Sequence, residues 1–336
     1  MTLILALESS CDETACAIIK DGKEILSNIV SSQINVHTQY GGVVPEVASR
    51  IHVENISTVI DEALKKANLT MDDIDAIAYT QGPGLIGSLH VGVQAAKTIA
   101  WTFHKPLIPI NHMTGHIWAN NFVADLKFPL LALVISGGHT QLVYMENDWD
   151  YKVIGTTKDD AIGEAYDKVS RVLGTGYPGG PVIDRMAKEG KEHYKLPSPK
   201  TDGEYDFSFS GLKTAVLQLI QREEKAGNEI IKEDIAYAFQ ETALGQLTGK
   251  TLQAVEDLKP KMLVLAGGVA ANSRLRQLIT EKMQAYPDVQ LVIPPMYCCT
   301  DNAAMIGAVG YVAYQHGLFG DLSAAADPGL MMPGEE

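Results

Sequence analysis

Cysteine is scarce in this chain. Cys11, Cys16, Cys298 and Cys299 are the only four in 336 residues; they form two tight pairs, and no C-x-x-C occurs. That excludes a disulfide framework and reads as reduced thiols in a cytoplasmic protein. Basic charge is short as well: 27 Lys and Arg stand against 41 Asp and Glu, a net charge of −14. Phosphate contacts need Lys and Arg, so the chain is not an obvious nucleic-acid binder. Any RNA partner would need a local basic face, or a second protein to supply one. No run reaches the roughly 18 apolar residues of a membrane span, so no membrane role is expected. The stretch Met1 to Glu8 has no basic n-region and its apolar run ends in an acid. It reads as a strand and not as a signal peptide.

What is present is ordinary for a globular protein: 46% hydrophobic residues, 20% charged residues and 30 Gly. The length suits two domains, or one fold with two lobes. Residues 3–8 read as a buried strand, followed by the small polar turn Ser9 to Thr14, a strand at 15–19, a hairpin signal at Asp21-Gly22 and a third strand at 24–32. The pattern returns later: apolar strand 130–135, turn Ser136 to Thr140, strand 141–145, strand 151–156. Such a repeat implies two similar lobes.

Between these lie a long helix opened by Pro45, a strand at 75–79 and the loop Gln81 to Ser88. That loop lacks the Lys-Ser/Thr of a phosphate-binding P-loop and reads as a tight turn with close helix packing. The helix after it, about 88–103, has few charges and is either core or a partner-facing surface. Asp159 or Asp160 is expected to cap a helix ending near Leu173. Residues 190–210 read as a surface loop, the most basic local stretch. The strand at 262–265 stops at Ala266 to Asn272, and Cys298 to Asn302 introduces a small-residue helix, 303–316. The tail from Asp321 is expected to fray.

Two histidines, His112 and His116, stand four apart at the expected start of a helix running to about Leu126, so both imidazoles share one face and can grip one metal ion. Asp301, after a strand and a double proline, is the natural third ligand, although a plain helix cap is the simpler role for it. Two His and one carboxylate leave coordination sites open and suit iron or zinc. Asp12 and Glu13 are expected to face the same cleft, and Asp12 is the candidate general base. Three turns, 9–14, 136–140 and 266–272, share one logic: small residues let backbone N–H groups approach phosphate oxygens. Gly267-Gly268 adds a positive helix end. Together they favour a nucleotide between two lobes. Asp167 and Asp184 flank the glycine loop 174–181 and could take ribose hydroxyls.

This arrangement is similar to the α/β two-lobed, actin-like ATPase (ASKHA, duplicated ribonuclease H-like) architecture of actin, sugar kinases and Hsp70 ATPases. The expected division is lobe I at 1–108 plus 296–325, lobe II at 109–295 with the histidines and the glycine pair, and a flexible tail at 326–336. Longer motifs resemble one family. They are Glu8 to Thr14, Gly82 to Gly87, Asn111 to His116, Ser136 to Thr140, Tyr177 to Pro181, Phe207 to Lys213 and Cys299 to Ala303. They look like TsaD, the tRNA N6-adenosine threonylcarbamoyltransferases, once regarded as glycoproteases.

The resemblance implies transfer of threonylcarbamoyl from L-threonylcarbamoyl-adenylate to N6 of adenosine 37 in tRNAs reading codons that begin with A, with release of AMP. It implies one divalent metal, usually Fe(2+) with zinc also suited, on residues matching His112, His116 and Asp301. It implies an adenylate site on residues matching Val134, Ile135, Ser136, Gly137, Gly138, Asp167, Gly180, Asp184 and Asn272. Many members have two adjacent histidines where this chain has Asn111-His112. The implied bacterial partners are a smaller paralogue (TsaB) and an ATPase (TsaE), with the helices at 45–66 and 88–103 as the paralogue surface. Three other classes compete: a metallopeptidase, which would lack the Glu of His-Glu-x-x-His; an ATP-hydrolysing kinase or ATPase on the same fold; and a non-enzymatic scaffold.

Overall fold

Apolar strands that end in small residues recur twice along the chain, and each occurrence starts a five-stranded sheet. The computed structural model describes residues 1–335. It divides into unit 1, Met1–Leu126 with the chain from Met296 onward, and unit 2, Lys127–Pro295.

Unit 1 opens with β1 (Leu3–Glu8), β2 (Glu13–Lys20) and β3 (Glu24–Ser32), an antiparallel meander. A short helix α1 (Ile34–His37) and the long α2 (Pro45–Ala67) lead to β4 (Ala76–Gly82), then α3 (Ile86–Phe103) and β5 (Leu107–Asn111). The sheet order is β3-β2-β1-β4-β5, with β4 parallel to β1 and β5 parallel to β4. α4 (His112–Trp118) follows β5 directly.

Unit 2 repeats this plan. β6 (Leu130–Ile135), β7 (Thr140–Met145) and β8 (Tyr151–Thr156) form the meander. Helices α5 (Ile162–Leu173), α6 (Gly179–Glu189), α7 (Ser210–Ala226) and α8 (Lys232–Leu258) precede β9 (Met262–Ala266), which pairs parallel to β6. Then come α9 (Ser273–Met283) and β10 (Gln290–Val292), and the order β10-β9-β6-β7-β8 is that of unit 1. The chain returns to unit 1 through α10 (Met296–Cys299) and α11 (Ala303–Gln315). The repeated hairpins of the sequence are therefore the starts of two equivalent sheets.

β1, β6 and β9 are buried along their whole length, which is why each reads as an unbroken apolar run. α11 is rich in small residues because it lies against the unit 1 sheet. A Cβ on Gly307 would come within 2.4 Å of Ile19, and one on Gly310 within 2.7 Å of Ala78. Cys298 and Cys299 are buried. Among the described residues, no helix is long and apolar enough to cross a membrane.

Four expectations change. The boundary at 108/109 moves to 126/127, and His112 and His116 belong to unit 1 with Asp301. The reason is local: α4 leaves β5 without a linker and packs against α11, with Gly115 against Met305 and Ile306. α4 itself stops at Trp118 and tightens into a 3-10 turn, Ala119–Phe122, instead of continuing to Leu126. The described part of the tail does not fray. Asp327 N–H donates to Gln81 O at 2.9 Å, Asn111 Nδ2 donates to Leu330 O and Met331 O at 3.2 and 3.0 Å, and Met332 is buried. The free polar groups at the ends of β4 and β5 capture it. Finally, Asp159 does not cap α5, whose first turn follows Ala161 without a side-chain cap. It caps α7 from a distance, accepting from Phe209 N, Ser210 N and the Ser208 and Ser210 hydroxyls.

The turn after β9 depends on one glycine. Gly267 has φ +89°, and a Cβ there would lie 2.4 Å from the Ile135 carbonyl oxygen of β6. Gly267→Ala should destabilise unit 2 by about 2 kcal/mol or more, combining a left-handed backbone with a backbone clash. The check is the urea midpoint, which should fall at unchanged m-value.

Candidate metal centre and nucleotide cradle

Three parallel strands, β1, β4 and β5, end side by side in unit 1, the usual place for a ligand site in an α/β sheet. Asn111 closes β5 and caps α4, its Oδ1 accepting from Met113 N at 2.8 Å. This fixes the first helical residue as His112 and places His116 one turn on, on the same face. The departure from two adjacent histidines thus has a structural use: Asn111 is both a helix cap and an anchor for the C-terminal segment.

On the other side, Asn302 caps α11, accepting from Met305 N at 3.1 Å. Asp301 is therefore not the cap, and its carboxylate is left for other work. The close packing of Gly115 on Met305 and Ile306 brings it to the histidines. His112 Nε2 lies 3.5 Å and His116 Nε2 3.2 Å from Asp301 Oδ1. The two rings meet edge to face, 4.7 Å between centroids. Among the described residues, these three form the group of His, Cys, Asp and Glu side chains whose donor atoms lie within 4.8 Å of one another. His116 is fully buried, and although its Nε2 lies 3.2 Å from Asp301 Oδ1, neither ring nitrogen has a partner in hydrogen-bond geometry. A buried imidazole without a hydrogen bond is costly unless a ligand takes its lone pair. Two neutral imidazole nitrogens and one carboxylate oxygen match a divalent transition metal with open positions.

Glu8, the last residue of β1, lies behind His112. It is fully buried, and its Oε2 is 2.9 Å from His112 Nδ1 and accepts from Thr80 Oγ1 at 2.6 Å. Burial disfavours a charge on His112, but Glu8 and Asp301 outweigh it and raise its pKa well above the usual histidine range. Burial likewise opposes charge on Asp301, and the two histidines override it, holding its pKa far below the carboxylate range. Glu8 was missed as a site residue in the sequence. Its signal was a carboxylate closing the otherwise apolar strand Leu3–Glu8.

Asp12 sits on the β1–β2 turn, between Cys11 and Glu13, and is half-buried. Burial and the charges of Asp301 and Asp12 push Glu13 up to about 9, toward the neutral acid. The Gly-rich loop after β4 packs on this turn as expected: Leu85 N donates to Ser10 O at 2.7 Å, and a Cβ on Gly92 would strike Ser9 Oγ.

The other candidates gather in unit 2. Val134 and Ile135 are buried strand residues, so only their backbone can face a ligand. Ser136 is half-buried, while Gly137 and Gly138 stand exposed at the hairpin tip. Missing Cβ atoms draw the pieces together: Gly163 lies against Ser136 and Gly137, Gly179 against Asp167, and Gly267 against Ile135. Asp167 accepts from Gly179 N at 2.6 Å, beside Gly180 at the start of α6. Burial raises its pKa, with the Gly179 bond opposing. Asp184 accepts from Ser273 Oγ at 2.8 Å and from Ser273 N at 3.3 Å. Asn272 caps α9 through Leu275 N, and its Nδ2 donates to Gln240 Oε1 at 2.9 Å and Tyr166 OH at 3.3 Å. The positive end of α9 is thus already held by Asn272 and Asp184. It is not the open anion site that Gly267-Gly268 suggested. Gln240 and Tyr166, which orient Asn272, carried no sequence signal beyond helical spacing.

The family model described as TsaD, tRNA N6-adenosine threonylcarbamoyltransferase, matches residues 24–308. A protein of that name from Lactiplantibacillus plantarum is 53% identical, covering 99% of this chain and 97% of its own length. One from Bacillus cereus is also 53% identical, covering 98% and 96%. Among solved structures, T. kodakarensis HypF aligns at TM-score 0.65 and 15% identity, over 94% of this chain and 48% of that one. Component A of the Acidaminococcus fermentans (R)-2-hydroxyglutaryl-CoA dehydratase aligns at TM-score 0.56 and 16% identity, over 94% and 100%. At such identities the likeness is one of fold, and it is the actin-like ATPase fold. With one family model across most of its length and half its residues shared with full-length relatives, the chain belongs to the tRNA N6-adenosine threonylcarbamoyltransferase family.

Proposed function

We propose that this chain transfers the threonylcarbamoyl group of L-threonylcarbamoyl-adenylate to N6 of adenosine 37 in tRNAs that read codons beginning with A, with AMP as leaving group. The observation that carries the reading is the His112–His116–Asp301 set, two buried histidines and a half-buried carboxylate, in a chain of this family. His112, His116 and Asp301 are the residues to hold the metal, Fe(2+) by preference, with zinc also suited to the donors. When bound, the ion supplies Lewis-acid stabilisation of negative charge on phosphate or carbonyl oxygen.

The mixed anhydride is already activated and the exocyclic amine is a weak nucleophile, so positioning supplies most of what the reaction needs. The exposed backbone of Gly137 and Gly138 is suited to phosphate oxygens, and Asp167 and Asp184 retain acceptor capacity for ribose hydroxyls. Asp12 is the candidate to take the proton lost by N6. A peptidase reading has no support in the site, because Glu8, the buried carboxylate at the histidines, is committed to His112 Nδ1 and the Thr80 hydroxyl.

Charge argues for shared tRNA binding. Unit 1 carries 7 Lys and Arg against 18 Asp and Glu, and unit 2 carries 20 against 23. A TsaB-type paralogue and a TsaE-type ATPase are the proposed bacterial partners. Supporting this is the groove between α2 and α3, lined by Val53, Ile60, Val91, Ala95 and Ile99, with Val53 63% exposed.

Three outcomes are expected. Incubated with its partners, the donor adenylate and tRNA, the protein should form N6-threonylcarbamoyladenosine, read by nucleoside mass spectrometry. His116→Ala and Asp301→Ala should each lose bound metal and at least about a hundredfold of activity; cleaved casein with unmodified tRNA would sink the reading. Second, metal binding should release a proton. His112 is held protonated well above the usual histidine range, and ligation needs its Nε2 lone pair. Apparent affinity should therefore fall about tenfold per pH unit below that raised pKa, checked by calorimetry in buffers of different ionisation enthalpy. Third, Val53→Glu with Thr98→Glu, the latter at an exposed residue of α3 that also lines the groove, should abolish the paralogue heterodimer in size-exclusion chromatography, at unchanged melting temperature of the isolated chain.

A further inference from the structure

We propose that Glu8 is a positioning residue for the metal centre: its buried carboxylate fixes the His112 ring through Nδ1, so that Nε2 is the atom offered to the ion. This rests on the metal reading above and adds a residue to it. Glu8 stands at the end of β1, Thr80 near the end of β4 and His112 directly after β5, so three adjacent parallel strands set the geometry. Every polar atom of the carboxylate is used. Oε1 accepts from Ser10 N at 2.5 Å, and Oε2 accepts from Thr80 Oγ1 at 2.6 Å and from His112 Nδ1 at 2.9 Å. The Ser10 hydroxyl is a second, more distant neighbour of Nδ1 at 3.2 Å.

A carboxylate held in this way cannot turn to another partner, and it accepts only from an Nδ1 that carries hydrogen. The neutral ring is then restricted to the tautomer whose lone pair is on Nε2, the nitrogen 3.5 Å from Asp301 Oδ1. A carboxylate behind an imidazole also makes the ligating nitrogen a better donor. The two histidines are not equivalent in this respect, since His116 Nδ1 has no hydrogen-bond partner. Control of ring orientation therefore falls on the Glu8–His112 pair. The fully buried charge at the end of an apolar strand, an expensive choice for packing alone, has its explanation there.

The test is a Co(2+) titration of the full chain, wild type beside Glu8→Ala, Glu8→Gln and Thr80→Val, with circular dichroism to establish folding. Glu8→Ala should weaken Co(2+) binding about ten- to a hundredfold and alter the ligand-field absorption. Glu8→Gln keeps an acceptor without the charge and should lose less, and Thr80→Val, which frees one carboxylate contact, least. Long-range proton–nitrogen NMR of the zinc-loaded protein supplies a signature that a merely structural role would not move. One histidine should show a strongly hydrogen-bonded Nδ1–H, absent in Glu8→Ala and shifted in Glu8→Gln. Wild-type affinity and an unmoved ring signal in folded Glu8→Ala would overturn the proposal, as would the same result in Glu8→Gln should Glu8→Ala not fold. A wild-type chain that binds no Co(2+) would instead bring down the metal reading, and the proposal with it.

Discussion

The close approach of α4 to α11 is the constraint on which the chemistry of unit 1 depends. Gly115 lies between the two histidines in sequence and against Met305 and Ile306 in space. A Cβ at 115 would come within 2.9 Å of Ile306 Cδ1 and 3.2 Å of Met305 Cγ, so α4 and α11 are in close side-chain contact there, and Asp301 stands one residue before the Asn302 cap of α11. The meeting of His112, His116 and Asp301 is therefore a packing product: two helix starts, each capped by an asparagine, brought together where residue 115 has no side chain. The small residues of α11 serve the same end, since they let it settle on the sheet whose strands β1, β4 and β5 present Glu8, Thr80 and His112.

Unit 2 uses glycine for a different purpose. Its candidate residues are spread over residues 134–272: on a hairpin, in the middle of α5 and of α6, at the start of α6 and at the cap of α9. Gly163, Gly179 and Gly267 bring these backbones within contact of one another. Asp167 and Asp184 then occupy helix starts by accepting from Gly179 and Ser273, which orients them and leaves part of each carboxylate free. An aspartate at a helix start neutralises the positive end that an anion would otherwise use. That leaves the hairpin tip at Gly137-Gly138 as the open backbone site.

Much of this was legible in the residues. The duplicated meander was visible because β1 and β6 are buried on both faces and so form continuous apolar runs, each followed by a small polar turn. His112 and His116 were visible because four-residue spacing on a helix has only one geometric meaning. Less was legible at the boundaries. The switch from β5 to α4 occurs with no linker, so no composition change marks where unit 1 ends. Asp159 was read as a cap for the nearest helix, but its partners lie some fifty residues on. The segment from Asp327 to Met332 looked loose because its anchors, Gln81 and Asn111, are more than 200 residues away.

The sequence by itself determined the fold class and the family, and it singled out His112, His116 and Asp301 as a group that could hold a metal ion, because each rests on local order: strand runs, turn chemistry and motif spacing. The tertiary structure decided which unit owns them. Sequence reading had placed Asp301 across a divide from the histidines, and packing through Gly115 put all three in unit 1. It also assigned Glu8. A carboxylate at a strand end says nothing of its partner until neighbouring strands place Thr80 and His112 beside it, and that adjacency is set by sheet order, which local spacing does not encode.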